Sequence, residues 1–234
     1  MKMVYEGKSK KIFETSNPDE YLMVFKDDLT AFNAQKKGSF EDKGRISQNI
    51  AEMIYEHLSE QGFSHHWLRK VKEGILVQKL NMIPLEVVVR NYAAGSLVKN
   101  LGWNEGDKLS RTILEFYFKN DELGDPTMNE DHILAKGILN EDQIIKLRQS
   151  ALELNKILVE FFISANLLLV DFKAEFGFTS QGYLVLGDDI SPDCFRAWDP
   201  KTFEKFDKDL FRFDLGDPRG GYQEIEARLK TALE

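Results

Sequence analysis

Residues 167–190 read LLLVDFKAEFGFTSQGYLVLGDDI, and this stretch predicts a β-hairpin. Two apolar runs flank residues 179–182 (TSQG), whose residue types are typical of a tight turn. In the first strand, Asp171, Lys173 and Glu175 alternate with apolar residues, so all three charges are expected on one face. Because an unpaired buried charge is very costly, this pattern predicts a functional site in which each charge has a partner.

The turn determines how the two strands align. If Thr179 pairs with Gly182, Lys173 lies opposite Asp188, and Glu175 and Asp188 become diagonal neighbours on one face. Such neighbours lie roughly 7–8 Å apart, close enough for both carboxylates to reach one cation. We therefore predict that Glu175 and Asp188 bind one metal ion.

Length and composition limit the class of protein. The 234 residues are 42% hydrophobic and 30% charged, which is typical of a globular protein with one large domain or two small lobes. The net charge of −8 argues against nucleic-acid binding, although local Lys and Arg can still attract small anions. The sequence lacks a long apolar run and an apolar signal core, and its single cysteine, Cys194, excludes an internal disulfide. We expect a cytoplasmic protein that binds neither membranes nor nucleic acid.

Periodicity along the chain predicts an α+β fold, because strands and helices are mixed without a regular βαβ rhythm. Asn140 and Gln143 resemble a capping box at the start of the clearest helix. A first lobe over residues 1–80 and a heavier second lobe over residues 81–234 are the expected domains. Strands are predicted over residues 3–13, 20–26, 75–80 and 85–90, with a separating turn at residues 81–84, and helices over residues 46–58, 141–165 and from about residue 221.

Two segments have residue types that suit phosphate binding. Residues 7–11 (GKSKK) place lysines after a glycine turn, but the same composition also suits a solvated basic turn. In residues 87–98 (VVVRNYAAGSLV), a strand ends at Arg90 and leads through small residues toward a short helix, which suits bidentate phosphate contact. An arginine that only caps its own sheet is the alternative. The sequence contains neither a Walker A loop nor a G-x-G-x-x-G motif.

Three other features are less specific. The acidic, turn-rich residues 119–130 suit either a ligand-binding loop or a solvated one. Arg196 follows the hairpin closely enough to lie beside its carboxylates. No histidine stands at a telling position near Cys194, which favours a buried bystander over a nucleophile. His65 and His66 lack metal-ligand spacing and are expected at the surface.

The chain resembles the SAICAR synthetase family (phosphoribosylaminoimidazole-succinocarboxamide synthases). The resemblance runs nearly end to end, through the motifs YEGKSKKIF, VVVRNYAAGSL, KND…DP…N, LVDFKAEFG and GDDISPD…R.W. It implies a two-lobed α+β fold with a kinase-like, ATP-binding N-terminal lobe. The implied reaction joins 5-amino-1-(5-phospho-D-ribosyl)imidazole-4-carboxylate (CAIR) to L-aspartate in purine biosynthesis, through an acyl phosphate, with ATP converted to ADP and phosphate. Short bacterial members commonly form homodimers.

The resemblance also implies roles for individual residues. Asn81 and Asp189 are mild departures from the family pattern, and Phe195 stands where a small residue is usual before the arginine. The implied assignments are Lys8, Lys10, Lys79, Leu80 and Met82 for ATP; Arg90, Ser96 and Arg196 for the ribose phosphate of CAIR; Glu175 and Asp188 for Mg²⁺; and Lys119, Asp125, Asp171, Lys173 and Asp193 at the reacting centre.

Two other functions use some of the same parts. A kinase-like small-molecule phosphotransferase needs the ATP and metal residues but no amine substrate. A catalytically silent nucleotide-binding regulator needs no metal carboxylates, so the presence of Glu175 and Asp188 counts against it. For the expected homodimer, the aromatic residues 203–213 suit either a contact surface or a core beneath helix 141–165.

Overall fold

Antiparallel strands and a few helices build the protein in the computed structural model, which describes residues 1–31 and 35–234. Within these residues, the strands are β1 (Met3–Glu6), β2 (Lys10–Glu14), β3 (Glu20–Phe25), β4 (Asp28–Ala31), β5 (Lys36–Ser39), β6 (Trp67–Val71), β7 (Gly74–Gln78), β8 (Asn81–Tyr92), β9 (Lys108–Phe118), β10 (Thr127–Met128), β11 (Leu168–Phe178), β12 (Leu184–Gly187) and β13 (Phe195–Trp198). The α-helices are α1 (Lys43–Glu60), α2 (Ser96–Leu101), α3 (Glu130–Ala135), α4 (Glu141–Ser164), α5 (Asp209–Arg212) and α6 (Pro218–Ala232).

Two main sheets divide the described chain. The first has the strand order β1-β2-β3-β7-β6, and the second has the order β10-β9-β8-β11-β12, with β13 also paired to β11. The chain passes from the first sheet to the second between Gln78 and Asn81, while β4 and β5 form a separate two-stranded sheet. Helix α4 packs on β11 and β8, and α1 packs on β3 and α6. This α+β architecture agrees with the prediction.

Local sequence signals explain the two long helices. Helix α4 begins at the predicted capping box, in which Asn140 accepts a hydrogen bond from the backbone of Gln143 and the Gln143 side chain accepts one from Asn140. Gly62 follows α1 with a φ of 71°, the left-handed conformation that glycine adopts at low cost. Both predicted helices are confirmed within a few residues. None of the described helices is long and apolar enough to cross a membrane.

The predicted turn at residues 81–84 is wrong, because these residues belong to β8. Asn81 pairs with Phe178 and Met82 with Gly177, and the register shifts before Glu86 pairs with Glu175. Pro84 lies in this irregular stretch. A bulge tolerates a proline inside a sheet, since the ladder hydrogen bond that proline cannot donate is already interrupted there.

The predicted hairpin is present, but its predicted register is wrong by one residue. Thr179 N donates to Tyr183 O, so Thr179 is paired with Tyr183 across the loop, while Gly182 N, at a φ of 84°, donates to Thr179 O within the turn. A three-residue loop that ends in a left-handed glycine is a common alternative to the two-residue turn. Glu175 therefore lies opposite Gly187, and strand alternation by itself puts Asp188 on the other face.

One hydrophobic core extends across both sheets and the long helices. It includes Ile50 of α1, Val77 of β7, Leu158 of α4 and Phe172 of β11. In the C-terminal aromatic segment, Phe206 belongs to this core, whereas Phe203 and Phe213 are about half exposed. That segment therefore contributes to the core and to the surface. The division into lobes at residue 80 stays a prediction.

Candidate active site

A continuous cleft lies where residues of the two sheets meet. Its larger part has a volume of about 1030 Å³, and its smaller part has a volume of about 310 Å³. Lys8, Glu86, Asp125 and Lys173 are among the residues that line both parts. Predicted site residues in the larger part are Lys8, Lys10, Leu80, Met82, Lys119, Asp125, Lys173, Glu175 and Asp188, and those in the smaller part include Arg90, Asp171, Asp193 and Arg196.

Two predicted residues do not line the cleft. Lys79 is exposed, and its Nζ lies 5.4 Å from the centre of the Tyr21 ring. Ser96 begins α2, and its Oγ accepts a 2.8 Å hydrogen bond from Arg90 Nη2. The structure thus brings Ser96 to the predicted phosphate-binding arginine but does not bring Lys79 to the other predicted residues.

The charged face of β11 is paired as its sequence predicts. Glu175 is 3% exposed and accepts a 2.5 Å hydrogen bond from Lys119 Nζ, while Lys173 Nζ lies 2.6 Å from a carboxylate oxygen of Glu86. Burial by itself would raise the pKa of Glu175, but Lys173, Lys119 and Lys10 outweigh it and lower the pKa. Glu175 is therefore ionised at neutral pH and available to a cation.

Two arginines meet at the other end of this face. Asp171 of β11 accepts from Arg90 Nη1 at 2.9 Å and from Arg196 Nη1 at 2.8 Å. Arg90 also contacts Glu115 at 2.6 Å, and Arg196 contacts Asp209 at 2.7 Å. Burial opposes the charge of Arg196, but Asp171 and Asp209 raise its pKa above the ordinary value. The result is a fixed pair of guanidinium groups at the smaller part of the cleft, a geometry suited to an anion.

Asp188 reaches the cleft by a different route from the predicted one. Asp188 follows β12 and has a φ of 61°. Its left-handed backbone, and not strand alternation, therefore sets the direction of its side chain. Its carboxylate pairs with Lys10 of β2, which also pairs with Asp189. Burial by itself would lower the pKa of Lys10, but Asp188 and Asp189 raise it well above the ordinary value. Lys10 is thus a charged, buried part of the cleft and not a solvated turn residue.

A second buried charge cluster surrounds Asp193. Its carboxylate accepts from Lys43, which is 0% exposed, and contacts Lys208 Nζ at 3.0 Å and the Tyr222 hydroxyl at 3.3 Å. Burial would raise the pKa of Asp193, but Lys43 and Lys208 hold it well below its usual range. Lys43 begins α1 and Tyr222 lies in α6, so this cluster connects two helices to the loop before β13.

The acidic loop contacts the glycine-lysine segment. Lys8 Nζ lies 2.9 Å from a carboxylate oxygen of Asp121, and both side chains are exposed to solvent. Asp125, with a φ of 50°, accepts a 2.9 Å hydrogen bond from the backbone N–H of Asn120. Asp125 therefore closes its own loop, and the loop in turn lies against Lys8 at the cleft.

The surface position predicted for His66 is wrong. His66 is 4% exposed and lines the cleft, and burial lowers its pKa to about 4. Burial raises the pKa of the Cys194 thiol to about 12, as expected for a bystander. Phe195 is buried with its ring edge-on to Phe162 at 5.1 Å, so its unusual size fills the core while Arg196 faces Asp171.

The two predicted metal ligands fit a metal that also uses ligand oxygens. In the described part of the chain, no group of three or more His, Cys, Asp and Glu side chains could hold a metal ion. Glu175 and Asp188 are nevertheless two carboxylates lining one cleft, and Mg²⁺ is typically bound by one or two carboxylates together with substrate phosphates and waters. This donor set suits a cation that arrives with a polyphosphate.

Sequence reasoning missed several residues of the cleft. Glu86 precedes Arg90 by four residues on β8 and shares its face, so a charge in the apolar run LEVVVR was a usable signal. Lys43, Lys208 and Asp209 carried no such signal, because the cleft residues with which they pair, Asp193 and Arg196, lie in other elements of the chain. Only the packing of α1, α5 and β13 brings these charges together.

Together, the α+β fold and this charged cleft define an enzyme that acts on small anionic substrates. The sequence model of SAICAR synthetase matches residues 3–229. Phosphoribosylaminoimidazole-succinocarboxamide synthase of Caldanaerobacter subterraneus subsp. tengcongensis is 46% identical over 229 residues, which covers 97% of both chains. The chain belongs to the SAICAR synthetase family.

Solved structures agree with this assignment. The enzyme of the same name from Ehrlichia chaffeensis is 40% identical, with a TM-score of 0.95 and 98% of both chains covered. A SAICAR synthetase in complex with ADP is 45% identical, with a TM-score of 0.92 and 96% of both chains covered. The family, the enzyme class and the α+β fold predicted from the sequence are therefore confirmed.

The Asp193 cluster generates a stability prediction. Asp193→Asn should lower the free energy of unfolding at pH 7 by about 3–5 kcal/mol, because it leaves buried Lys43 without its counter-charge. The folded pKa of Asp193 is lower than the unfolded value of about 3.9, so its contribution is complete above that pH and is lost as pH falls toward the folded pKa. Urea unfolding at a series of pH values measures the difference.

The double variant Lys43→Met/Asp193→Asn is the control for this prediction. It removes the buried Lys43–Asp193 pair and leaves only Lys208 without its counter-charge, so it should recover part of the lost stability. If Asp193→Asn is as stable as the wild-type protein at pH 7, the cluster does not stabilise the fold.

Proposed function

We propose that this protein joins the carboxylate of CAIR to the amine of L-aspartate, with ATP converted to ADP and phosphate. The observation that carries this proposal is the paired charged face of β11, which separates a lysine-rich part of the cleft from an arginine-rich part. Two separate anion-binding regions with carboxylates between them suit a polyphosphate and a phosphorylated second substrate. The names of the full-length relatives support the same reaction.

ATP would occupy the larger part of the cleft. Lys8 and Lys10 supply positive charge for its phosphates, and the relative in complex with ADP supports nucleotide binding here. Leu80 and Met82 supply an apolar surface for adenine. The glycine at position 187 makes room for the Met82 side chain, since a Cβ atom at this position would come within 2.9 Å of it. Lys79 would contribute to the adenine side of the cleft through its backbone, because its side chain lies over the Tyr21 ring.

Glu175 and Asp188 would hold the Mg²⁺ ion that accompanies ATP. When bound, such an ion offsets the negative charge that builds up during phosphoryl transfer. Both carboxylates have lysine partners, Lys119 and Lys10, which lie close enough to interact with phosphate oxygens in the same place.

CAIR would bind at the arginines. Arg90 and Arg196 have the fork geometry that binds phosphate through paired hydrogen bonds, and Ser96 adds a hydroxyl beside Arg90. Asp171 accepts from both arginines and so keeps them together before substrate arrives. The phosphate of CAIR would then bring its carboxylate toward Lys173 and the nucleotide.

The chemistry has two steps. A carboxylate is a poor acyl donor because it lacks a good leaving group, so the terminal phosphoryl group of ATP first moves to the CAIR carboxylate to give an acyl phosphate. The free amine of L-aspartate then attacks that carbonyl, forms the C–N bond and releases phosphate. Proximity of the bound reactants supplies much of the rate, and water must be excluded because acyl phosphates hydrolyse.

The reacting centre would lie among Lys119, Asp125, Asp171, Lys173 and Asp193. Lys119 and Lys173 supply positive charge at the carboxylate where the phosphoryl group arrives, and Asp125 maintains the loop that carries Lys119. Asp193 is a poor acceptor for the proton of the amine, since Lys43 and Lys208 already lower its pKa. Its part is to hold Lys208 at the smaller part of the cleft.

We further propose that residues 1–80 form a kinase-like ATP lobe and residues 81–234 the lobe for CAIR and the metal. A homodimer in the cytoplasm completes the proposal. The half-exposed Phe203 is one apolar side chain that a second copy could cover. Each cleft residue named above belongs to a single chain, so pairing is not expected to create the site.

An assay of ADP release separates this function from the alternatives. Release should require ATP, CAIR and L-aspartate together, because the amine completes the turnover. A phosphotransferase would release ADP with a phosphorylated acceptor and no amino acid, and a silent regulator would release none. Rapid ADP release that is independent of aspartate would contradict the proposal, and the other amino acids serve as controls for the amine.

Glu175→Gln should lower kcat about 100-fold or more, because a bound metal supplies several kcal/mol of charge stabilisation. The amide keeps the size of the side chain, so circular dichroism should report an intact fold. Glu153→Gln, at an exposed position of α4, is the matched control and should leave kcat unchanged. Near-normal turnover of Glu175→Gln in Mg²⁺ would contradict the metal assignment.

Arg90→Lys and Arg196→Lys should each raise the KM for CAIR about 10–100-fold, since a lost charged hydrogen bond costs about 1.5–3 kcal/mol. Lysine keeps the charge but cannot form the fork. The KM for ATP should stay unchanged in both variants. The opposite pattern, with a raised KM for ATP and an unchanged KM for CAIR, would assign the arginines to the nucleotide instead.

A further inference from the structure

The conformation of Asp188 requires support from its surroundings. Its φ of 61° is in the left-handed region, which a residue other than glycine occupies at a cost unless neighbouring groups hold it there. That conformation directs its carboxylate to Lys10, on the opposite side of the cleft. The groups that fix the Asp188 backbone therefore determine where the carboxylate lies.

Two buried side chains contact the backbone carbonyl of Asp188. His66 Nε2 lies 2.8 Å from this oxygen, and the Tyr55 hydroxyl also donates to it. Because a carbonyl oxygen only accepts, Nε2 must carry the hydrogen of the neutral imidazole. The Tyr55 oxygen lies 3.1 Å from the same nitrogen, so the three groups form one closed cluster.

The backbone of His66 is itself held by both sheets. Its N–H donates to Leu186 O of β12 at 2.9 Å, and its carbonyl accepts from Gln78 N of β7 at 2.7 Å. Leu186 N donates in turn to Ser64 O at 3.1 Å. The imidazole is thus attached to a rigid junction between the sheets and contacts the residue immediately after β12.

We propose that His66, assisted by Tyr55, is a positioning residue for the cation site. By donating to the Asp188 carbonyl, it maintains the left-handed turn that directs the Asp188 carboxylate to Lys10, in the cleft that Glu175 also lines. Neither His66 nor Tyr55 has to touch substrate or metal for this role. The inference rests on the proposed function, in which Asp188 holds the cation.

Two amides of different length test this role. In His66→Gln the amide nitrogen can reach the place of Nε2, whereas in His66→Asn it can reach only the place of Nδ1. Both variants are neutral and polar, and thermal unfolding monitors their folding. His65→Gln is the matched control, because the His65 ring contacts Ser59 Oγ and not Asp188.

The readout is binding of Mn²⁺ to the enzyme with ADP, followed by electron paramagnetic resonance. His66→Asn should weaken Mn²⁺ binding about 10–100-fold, the usual effect of losing a group that orients a metal ligand. His66→Gln should bind nearly as tightly as the wild-type protein, and Tyr55→Phe should be affected less than His66→Asn. The KM for CAIR should stay unchanged in all variants.

Asp188→Asn separates a failure of the His66 role from a failure of the proposed function. If it loses Mn²⁺ while His66→Asn binds as the wild-type protein does, His66 has no positioning role and the proposed function stands. If Asp188→Asn itself keeps full affinity, the metal assignment and this inference both fail. Equal weakening in His66→Asn and His66→Gln would also overturn the inference, because a bonding role requires rescue by the longer amide.

Discussion

Acidic and basic side chains on the buried strand β11 impose the main constraint on this structure. Asp171 and Glu175 are only 4% and 3% exposed, and an isolated buried charge is too costly to persist. Each therefore needs cationic partners, which are Arg90 of β8, Arg196 of β13 and Lys119, the residue that follows β9. Pairing these charges on one face of the second sheet requires strands that are distant in sequence to be neighbours in that sheet.

This pairing also prepares the cleft for its ligands. Breaking a buried ion pair by removing one partner is strongly destabilising, so the cations are held in place before any anion arrives. Arg90 and Arg196 share Asp171, and Lys119 contacts Glu175. An anion that entered the cleft would meet donors whose positions are already set, which would reduce the entropy lost on binding.

The contacts between the sheets have a comparable role. Lys10 of the first sheet pairs with Asp188 and Asp189 after β12, and the backbone of His66 is hydrogen-bonded to β7 and β12. One hydrophobic core lies beneath both sheets. The relative position of the two parts of the cleft therefore depends on a few polar contacts above a shared hydrophobic core.

The sequence by itself determined the features that depend on neighbouring residues. Alternation in LVDFKAEFG predicted the charged face of β11, and Asn140 with Gln143 predicted the start of α4, because strand and helix geometry repeat every few residues. The family resemblance added the enzyme class and a set of site residues, all of which line the cleft except Lys79 and Ser96.

Only the tertiary structure decided the features that depend on distant partners or on single backbone angles. The hairpin register followed from a left-handed Gly182, and the position of Asp188 from its own left-handed backbone. The sequence predicted a surface position for His66, but His66 is buried next to β12. The sequence indicated no partner for Lys43, and only the packing of α1 beside Asp193 provides one. Local patterns carry no information about such contacts, since chain topology alone brings the partners together.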